Sequence, residues 1–181
     1  MTGNKRRGVV LQDRDRQLLT ELGVMRIMDR EAASTIGRFL SIRRANRRLL
    51  LLTGVGLLKR FFVGSIAHGR KAVYTLSAKG TALVSAKLGG IQRPSGRLVV
   101  SDAFVEHQSG INEIYLALRY RSTPLTGVRL LRWHTFRQPI SDQIKLTPDG
   151  YFEIAVIESI RSMFLEVDLG TEALAVWQQK V

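Results

Sequence analysis

The chain has 181 residues, of which 45% are hydrophobic, enough to form one ordinary core or two small ones. It contains no cysteine, which excludes disulfides and thiolate metal sites and favours a reducing, cytoplasmic location. The longest apolar run, residues 49–58, is too short to span a bilayer, so no membrane partner is expected.

The formal net charge of +13 is divided unevenly along the sequence. Residues 1–97 contain 20 Lys and Arg against 5 Asp and Glu, a net of +15. Residues 98–181 contain 8 against 10, a net of −2. A positive surplus confined to one half indicates a surface that meets a polyanion, so this half is predicted to bind nucleic acid.

Apolar spacing and capping residues predict three helices in the first half of the chain. From cap to end, they cover Asp13–Gly23, Asp29–Phe39 and Ser41–Thr53. At about 100° per residue, the apolar residues of the third helix fall on one side. Four arginines cluster around the opposite side: Arg43, Arg44, Arg47 and Arg48. Because this face of the helix carries no acidic residue that could pair with the arginines, we expect all four arginines to contact DNA.

A basic hairpin follows the third helix. Its predicted strands are 57–63 and 71–76, and Ser77 caps a closing helix over 78–88. Its four cations are Lys59, Arg60, Arg70 and Lys71. Three helices, a hairpin and a closing helix are typical of a winged helix-turn-helix. The third helix would enter the major groove, and the hairpin would form a wing along the backbone or minor groove.

Two further segments define the first domain and its end. The stretch Tyr74-Thr75-Leu76-Ser77-Ala78-Lys79-Gly80 resembles the Y-x-L-[ST]-x-x-G segment that commonly closes the wing in such domains. Residues 89–97 are rich in Gly, Pro and Ser, which indicates a linker. The fold class is therefore α+β, with a winged helix-turn-helix DNA-binding domain at 10–88 and a small α/β domain at 98–181.

The second half predicts a long helix, a strand, a hairpin and a final helical stretch. The helix runs from 101 to about 121, the first strand covers 128–133, the hairpin pairs 151–157 with 163–169, and the last helix starts near 171. A turn near 159–160 would bring Glu153 opposite Glu166 and Asp149 close to Asp168. Any metal would therefore be Mg²⁺ on Asp149, Glu166 and Asp168. Exposed carboxylates are more often solvated surface, so no metal is assigned.

Three motifs resemble the replication-relaxation family of plasmid and mobile-element proteins. They are H-x4-N at His107 and Asn112, L-x-P-D at 146–149 and F-L-E-x-D-x-G-T-E at 164–172. The resemblance covers about residues 10–181. It implies a DNA-binding protein associated with plasmid replication and DNA relaxation. Family members often continue past the region that matches Trp177 and Lys180. One interpretation is therefore that the natural chain extends beyond Val181.

A looser similarity links the second domain to the restriction-endonuclease-like fold, whose active site has the form P-D … [DE]-x-K. Asp149 and Glu166 match the two acidic positions, but Asp168 stands where the lysine is expected. This removes the cation that stabilises the charged transition state. Lys180 is the candidate replacement, so a nuclease would use Asp149, Glu166 and Lys180. Without the lysine, we favour a domain that is not an enzyme.

Three functions remain open from the sequence. The favoured one is a double-stranded DNA-binding protein that acts in replication or relaxation or its regulation, with a second domain for dimerisation or partner binding. The alternatives are a metal-dependent DNA nuclease or nickase and a winged-helix module that binds mainly protein. The expected partner is double-stranded DNA, and a homodimer and replication or conjugation proteins are further candidates.

Overall fold

The computed structural model describes residues 9–64, 69–85, 101–121, 127–136 and 138–170. Its helices are α1 (Asp13–Met25), α2 (Arg30–Ile36), α3 (Ile42–Gly54), α4 (Ala78–Val84) and α5 (Asp102–Tyr120). Its strands are β1 (Leu58–Val63), β2 (Lys71–Leu76), β3 (Val128–His134), β4 (Gly150–Val156) and β5 (Ser159–Leu165). Helices combined with small antiparallel sheets make the chain α+β, as predicted. It divides into two units, Met1–Leu98 and Val99–Val181.

Polar side chains cap α2 and α3, as the sequence predicts. Asp29 accepts a hydrogen bond from the backbone N–H of Ala32 at 2.7 Å. Ser41 accepts one from the backbone N–H of Arg44 at 3.4 Å. Each cap satisfies an amide that has no partner within its helix. α2 ends at Ile36, earlier than predicted.

α1 differs from the prediction at both ends. The residue that precedes it is Gln12, not Asp13, and the backbone N–H of Gln12 donates to Asp15 Oδ2 at 2.7 Å. This is the carboxylate contact of a capping box. The helix passes Gly23 and ends at Met25, because the buried side chain of Met25 extends the apolar stripe into the core.

The core of the first unit lies between its helices and the β1–β2 hairpin. Its most deeply buried apolar side chains include Leu18, Leu19, Leu22, Ile36, Leu49, Leu52, Val73 and Tyr74. The hairpin is antiparallel, with Leu58 opposite Leu76 and Val63 opposite Lys71. Met28, which lies between α1 and α2, bridges to Tyr74 through backbone hydrogen bonds of 3.0 and 2.8 Å. The hairpin is therefore anchored to the helices by backbone bonds as well as by packing.

The Y-x-L-S-x-x-G stretch connects the start of α4 to the residues that follow α3 by hydrogen bonds. The Ser77 hydroxyl accepts a hydrogen bond from the Gly80 N–H at 3.0 Å and donates one to the Gly56 carbonyl at 2.6 Å. A Cβ added to Gly80 would clash with the backbone oxygen of Leu57. The stretch therefore has a structural explanation, since the serine joins two elements and glycine permits their close approach.

In the second unit, α5 packs on an antiparallel sheet with strand order β3-β4-β5. Trp133 of β3 contacts both Tyr115 of α5 and Phe152 of β4, with ring centroids 5.0 and 5.7 Å apart. The buried side of α5 also includes Gln108 and Asn112, whose amides hydrogen-bond at 3.2 Å. Polar side chains are ordinarily exposed, so the burial of these two residues is not expected from the sequence pattern of the helix.

The β4–β5 hairpin turns earlier than predicted. Its turn residues are 157–158 rather than 159–160, and Glu153 therefore lies opposite Ser162, not opposite Glu166. Glu166 follows the end of β5. The predicted strand register is wrong here, and the cross-strand pairing of carboxylates that depended on it is absent.

Several predicted features lie outside the described residues. They include the end of the closing helix at 86–88, the linker at 89–97 and the helical stretch from 171, which contains Lys180. In the described part of the chain, no helix combines the length and the apolar character that crossing a bilayer requires.

Candidate nucleic-acid interface

α3 presents a row of exposed arginines on the side opposite its buried residues. The buried side chains are Ala45, Leu49 and Leu52. The exposed arginines, which we call the α3 arginine row, are Arg43, Arg44 and Arg47. Among the described residues, no acidic side chain forms a salt bridge with them. The row is therefore a concentrated positive surface on a helix whose other side is fixed by the core.

Arg48 differs from the α3 arginine row. Its Nε donates to Asp15 Oδ1 at 2.6 Å, and a second guanidinium nitrogen bonds Asp15 Oδ2. It also donates to the backbone oxygen of Val10 at 3.2 Å. The side chain of Asp15 is 0% exposed, and that of Arg48 is 18% exposed. The prediction that this helix face lacks acidic partners is therefore wrong at Arg48.

The physical consequence of this pair is electrostatic as well as geometric. The hydrogen bond to Asp15 raises the pKa of Arg48 above its ordinary value, because the carboxylate stabilises the charged guanidinium. A bidentate contact also fixes the orientation of the guanidinium plane. Arg48 therefore holds α3 against the start of α1.

The four predicted cations of the hairpin are not equivalent either. Lys59 and Arg70 are exposed, and no salt bridge to either is present among the described residues. Lys71 Nζ lies 2.5 Å from Asp29 Oδ2, and the Lys71 side chain is 55% exposed. Asp29 therefore caps α2 and also pairs with β2. The charge of Lys71 is partly balanced, whereas those of Lys59 and Arg70 face solvent.

Arg60 lies against an aromatic side chain that the basic pattern of the hairpin did not indicate. Its guanidinium carbon is 4.9 Å from the centroid of the Phe62 ring. The two residues are two positions apart on β1, which places them on the same face of the strand. Phe62 is 52% exposed and lies opposite the small residue Ala72. The period-two spacing of a cation and an aromatic on a strand was the signal that could have identified Phe62.

The second unit brings residues of three sequence motifs into contact. His107 Nε2 on α5 lies 3.2 Å from Asp149 Oδ2, and this oxygen accepts the backbone N–H of Val167 at 2.8 Å. A Cβ on Gly110 would approach Val167 Cγ1 to 3.0 Å, so a glycine on α5 leaves space for this segment. We call this contact the His107–Asp149 joint. It fixes the segments before β4 and after β5 to the helix.

The three carboxylates that were the only candidate metal ligands in the sequence are not grouped among the described residues. Asp149 belongs to the His107–Asp149 joint, whereas Asp168 accepts the Gly170 N–H at 2.8 Å in a local turn. Glu166 is exposed. Within the described ranges, no three His, Cys, Asp or Glu side chains form a group that could hold a metal ion. The register of the β4–β5 hairpin explains why Glu153 and Glu166 do not meet across the strands.

The model of the replication-relaxation family matches residues 14–181, nearly the whole chain. The chain belongs to the replication-relaxation family. The resemblance found in the sequence is therefore confirmed. No curated protein and no solved structure matches the chain. In this replication-relaxation protein, the match includes both the α3 arginine row and the His107–Asp149 joint.

Proposed function

We propose that this protein binds double-stranded DNA through its first unit and acts in the replication or relaxation of a plasmid or mobile element, or in its regulation. The observation that carries the proposal is the α3 arginine row. Three exposed guanidinium groups on one helix face can neutralise phosphates and release their counterions, which is the main source of affinity for DNA. Family membership supports the biological setting.

The arrangement of the first unit supports a winged helix-turn-helix as the binding module. Three helices precede the β1–β2 hairpin, and α4 follows it. The isolated bridge between Met28 and Tyr74 holds the hairpin against the segment between α1 and α2, which suits a wing of fixed position. In a helix-turn-helix, the recognition helix enters the major groove, where arginine can bond guanine in bidentate fashion. We assign the role of recognition helix to α3 and the role of wing to the β1–β2 hairpin.

The proposed interface is smaller than the sequence alone predicts. Two of the eight predicted cations, Arg48 and Lys71, already pair with Asp15 and Asp29. We assign these two cations to holding α3 and the hairpin in position. The direct contacts are then assigned to the α3 arginine row together with Lys59, Arg60 and Arg70.

The second unit is proposed to mediate homodimerisation, with replication or conjugation proteins as other candidate partners. Phe152 faces α5, so alternation along β4 turns Tyr151 and its cross-strand neighbour Phe164 to the opposite side of the sheet. Phe164 is 59% exposed on that side. Arg132 and Glu153 lie 3.4 Å apart near this side of the sheet. A surface that carries both a positive and a negative charge suits a self-complementary twofold contact.

The two alternative functions have weaker support. A nuclease needs grouped carboxylates for its metal, and the described residues offer no such group. A module that binds mainly protein does not require the concentrated positive charge of the first half. The proposed function therefore remains duplex DNA binding.

The test is the affinity of the protein for a labelled duplex as a function of salt, measured by fluorescence anisotropy. We expect the logarithm of the association constant to fall linearly with that of salt concentration, with a slope of about −0.9 for each neutralised phosphate. Six assigned cations predict a slope of about −5. Binding that does not depend on salt, or no binding at low salt, would contradict the proposal.

A further inference from the structure

Phe62 is an exposed aromatic residue in contact with a cation, since the Arg60 guanidinium lies over its ring. Its neighbour Val63 is buried, whereas half of Phe62 remains accessible, so the core does not require this ring. Across the hairpin it meets Ala72, which is too small to cover it. The exposed cations Lys59, Arg60 and Arg70 lie on the same hairpin. An exposed ring beside a guanidinium on a basic hairpin is suited to a partner that is both anionic and able to accept an apolar side chain.

We propose that Phe62, with the Arg60 guanidinium over its ring, is a wedge that enters the minor groove of duplex DNA and opens a base step. Proteins that bend DNA from the minor groove insert apolar side chains between base pairs and place arginine in the groove beside them. The negative potential of a narrow minor groove attracts the arginine. This inference rests on the proposed function, and it adds a site that deforms the DNA.

The fold ties this pair to α3. Arg60 lies opposite Tyr74 in the hairpin register, and the Tyr74 hydroxyl donates to Asn46 Oδ1 of α3 over 3.4 Å. β1 also begins only a few residues after α3 ends. The strand that carries Phe62 is therefore held against the helix that carries the arginine row. This connection lets the two surfaces act on one duplex.

A protein partner is the competing explanation for an exposed phenylalanine. Protein interfaces have apolar centres that are depleted in charge, with aromatic residues packed together. Phe62 instead contacts the Arg60 guanidinium, and the hairpin carries the further exposed cations Lys59 and Arg70. DNA is therefore the partner that the charges favour, and a second copy of the chain is an outcome that the test can detect.

The test compares Phe62→Ala and Phe62→Leu with the wild type and with Leu83→Ala, which removes an exposed apolar side chain from α4. Duplex affinity is measured over a range of salt, and bending is measured by energy transfer between dyes at the duplex ends. We expect Phe62→Ala to lose about tenfold in affinity and most of the bend. Its salt slope stays unchanged because no charge is removed. Phe62→Leu keeps part of the bend, and Leu83→Ala matches the wild type.

Two results would overturn the wedge while leaving the proposed function standing. One is wild-type affinity and bending in Phe62→Ala. The other is a shift of Phe62→Ala to a smaller assembly in light scattering without any change in DNA bending, which would make Phe62 a protein contact. A wild-type protein that binds no duplex at any salt would instead overturn the proposed function and the wedge together.

Discussion

Arg48 and Asp15, which are 33 residues apart in the sequence, form a bidentate ion pair that joins α3 to the first turn of α1. Asp15 is fully buried, and it also accepts a hydrogen bond from the Gln12 backbone N–H. Loss of the guanidinium would leave a buried carboxylate without its counter-charge. The pair is therefore a structural element within a surface that otherwise faces solvent.

The first prediction follows from this pair. Arg48→Ala should lower the free energy of unfolding by about 3 kcal/mol, because breaking a buried ion pair leaves an uncompensated charge. Arg47→Ala, one residue earlier on the exposed side, should change it by less than about 0.5 kcal/mol. Urea denaturation followed by circular dichroism measures both. Equal stabilities of the two variants would contradict the role assigned to Arg48.

The second prediction concerns the α3 arginine row. Replacing Arg43, Arg44 and Arg47 together with Ala should reduce the salt slope of duplex binding by about 3 and weaken binding strongly, without unfolding the protein. A charge-matched control replaces three exposed arginines of the second unit: Arg121, Arg129 and Arg161. Anisotropy at matched salt should separate the two triple variants. If both lose affinity equally, net charge rather than α3 controls binding.

The third prediction separates two adjacent cations of the hairpin. Arg70→Ala should weaken duplex binding severalfold without changing the preferred sequence, because phosphate contacts position a protein but do not specify bases. Lys71→Ala should have a smaller effect on binding, because Lys71 is paired with Asp29. Competition with a panel of duplexes measures affinity and preference together. A changed sequence preference in Arg70→Ala would show that the hairpin reads bases.

The fourth prediction concerns glycines in the first unit. Gly80→Ala should destabilise the protein by more than about 2 kcal/mol, because the added methyl group would clash with the backbone of Leu57. Gly54→Ala is the matched control, since a Cβ there meets nothing within 4 Å. This control should be neutral or stabilising by about 0.5 kcal/mol. Thermal denaturation compares them, and a tolerated Gly80→Ala would mean that α4 can move away.

The fifth prediction concerns the acidic residues of the second unit. Asp149→Ala should destabilise this unit by about 1–3 kcal/mol, since it removes the partner of His107 and of the Val167 N–H. The exposed Glu166→Ala should have little effect on stability. Both variants should keep DNA binding, and neither they nor the wild type should nick supercoiled plasmid with Mn²⁺. Wild-type nicking that both substitutions abolish would restore the nuclease alternative.

Local signals made much of the first unit predictable. Asp29, Ser41 and Ser77 cap the helices that the sequence assigns to them, because a cap bonds an amide only three residues away. The Arg48–Asp15 pair could not be predicted in this way, since nothing local indicates which arginine of α3 meets α1. The surface was therefore predictable as basic, but not its division into exposed and paired cations.

The second unit was harder to predict for a different reason. The β4–β5 turn places Ile157 at a φ of 53°, a conformation that β-branched residues rarely adopt. Turns with such a φ ordinarily contain Gly, Asn or Asp, so the sequence carried no turn signal there. The burial of Gln108 and Asn112 could not be predicted either, because it depends on the hydrogen bond between their amides. The missing turn signal accounts for the error in strand register, and the amide pair accounts for the unexpected burial of two polar residues on α5.

The separation of Arg48 from the α3 arginine row has a consequence for how this protein diversifies. Side chains of the row pack against nothing in the core, so each can be exchanged at little cost to folding. Arg48 and Asp15 are constrained to change together or not at all. Under the proposed function, substitutions at three positions of one helix can change the base contacts and so adapt the protein to a different DNA site. The rest of the fold stays unchanged.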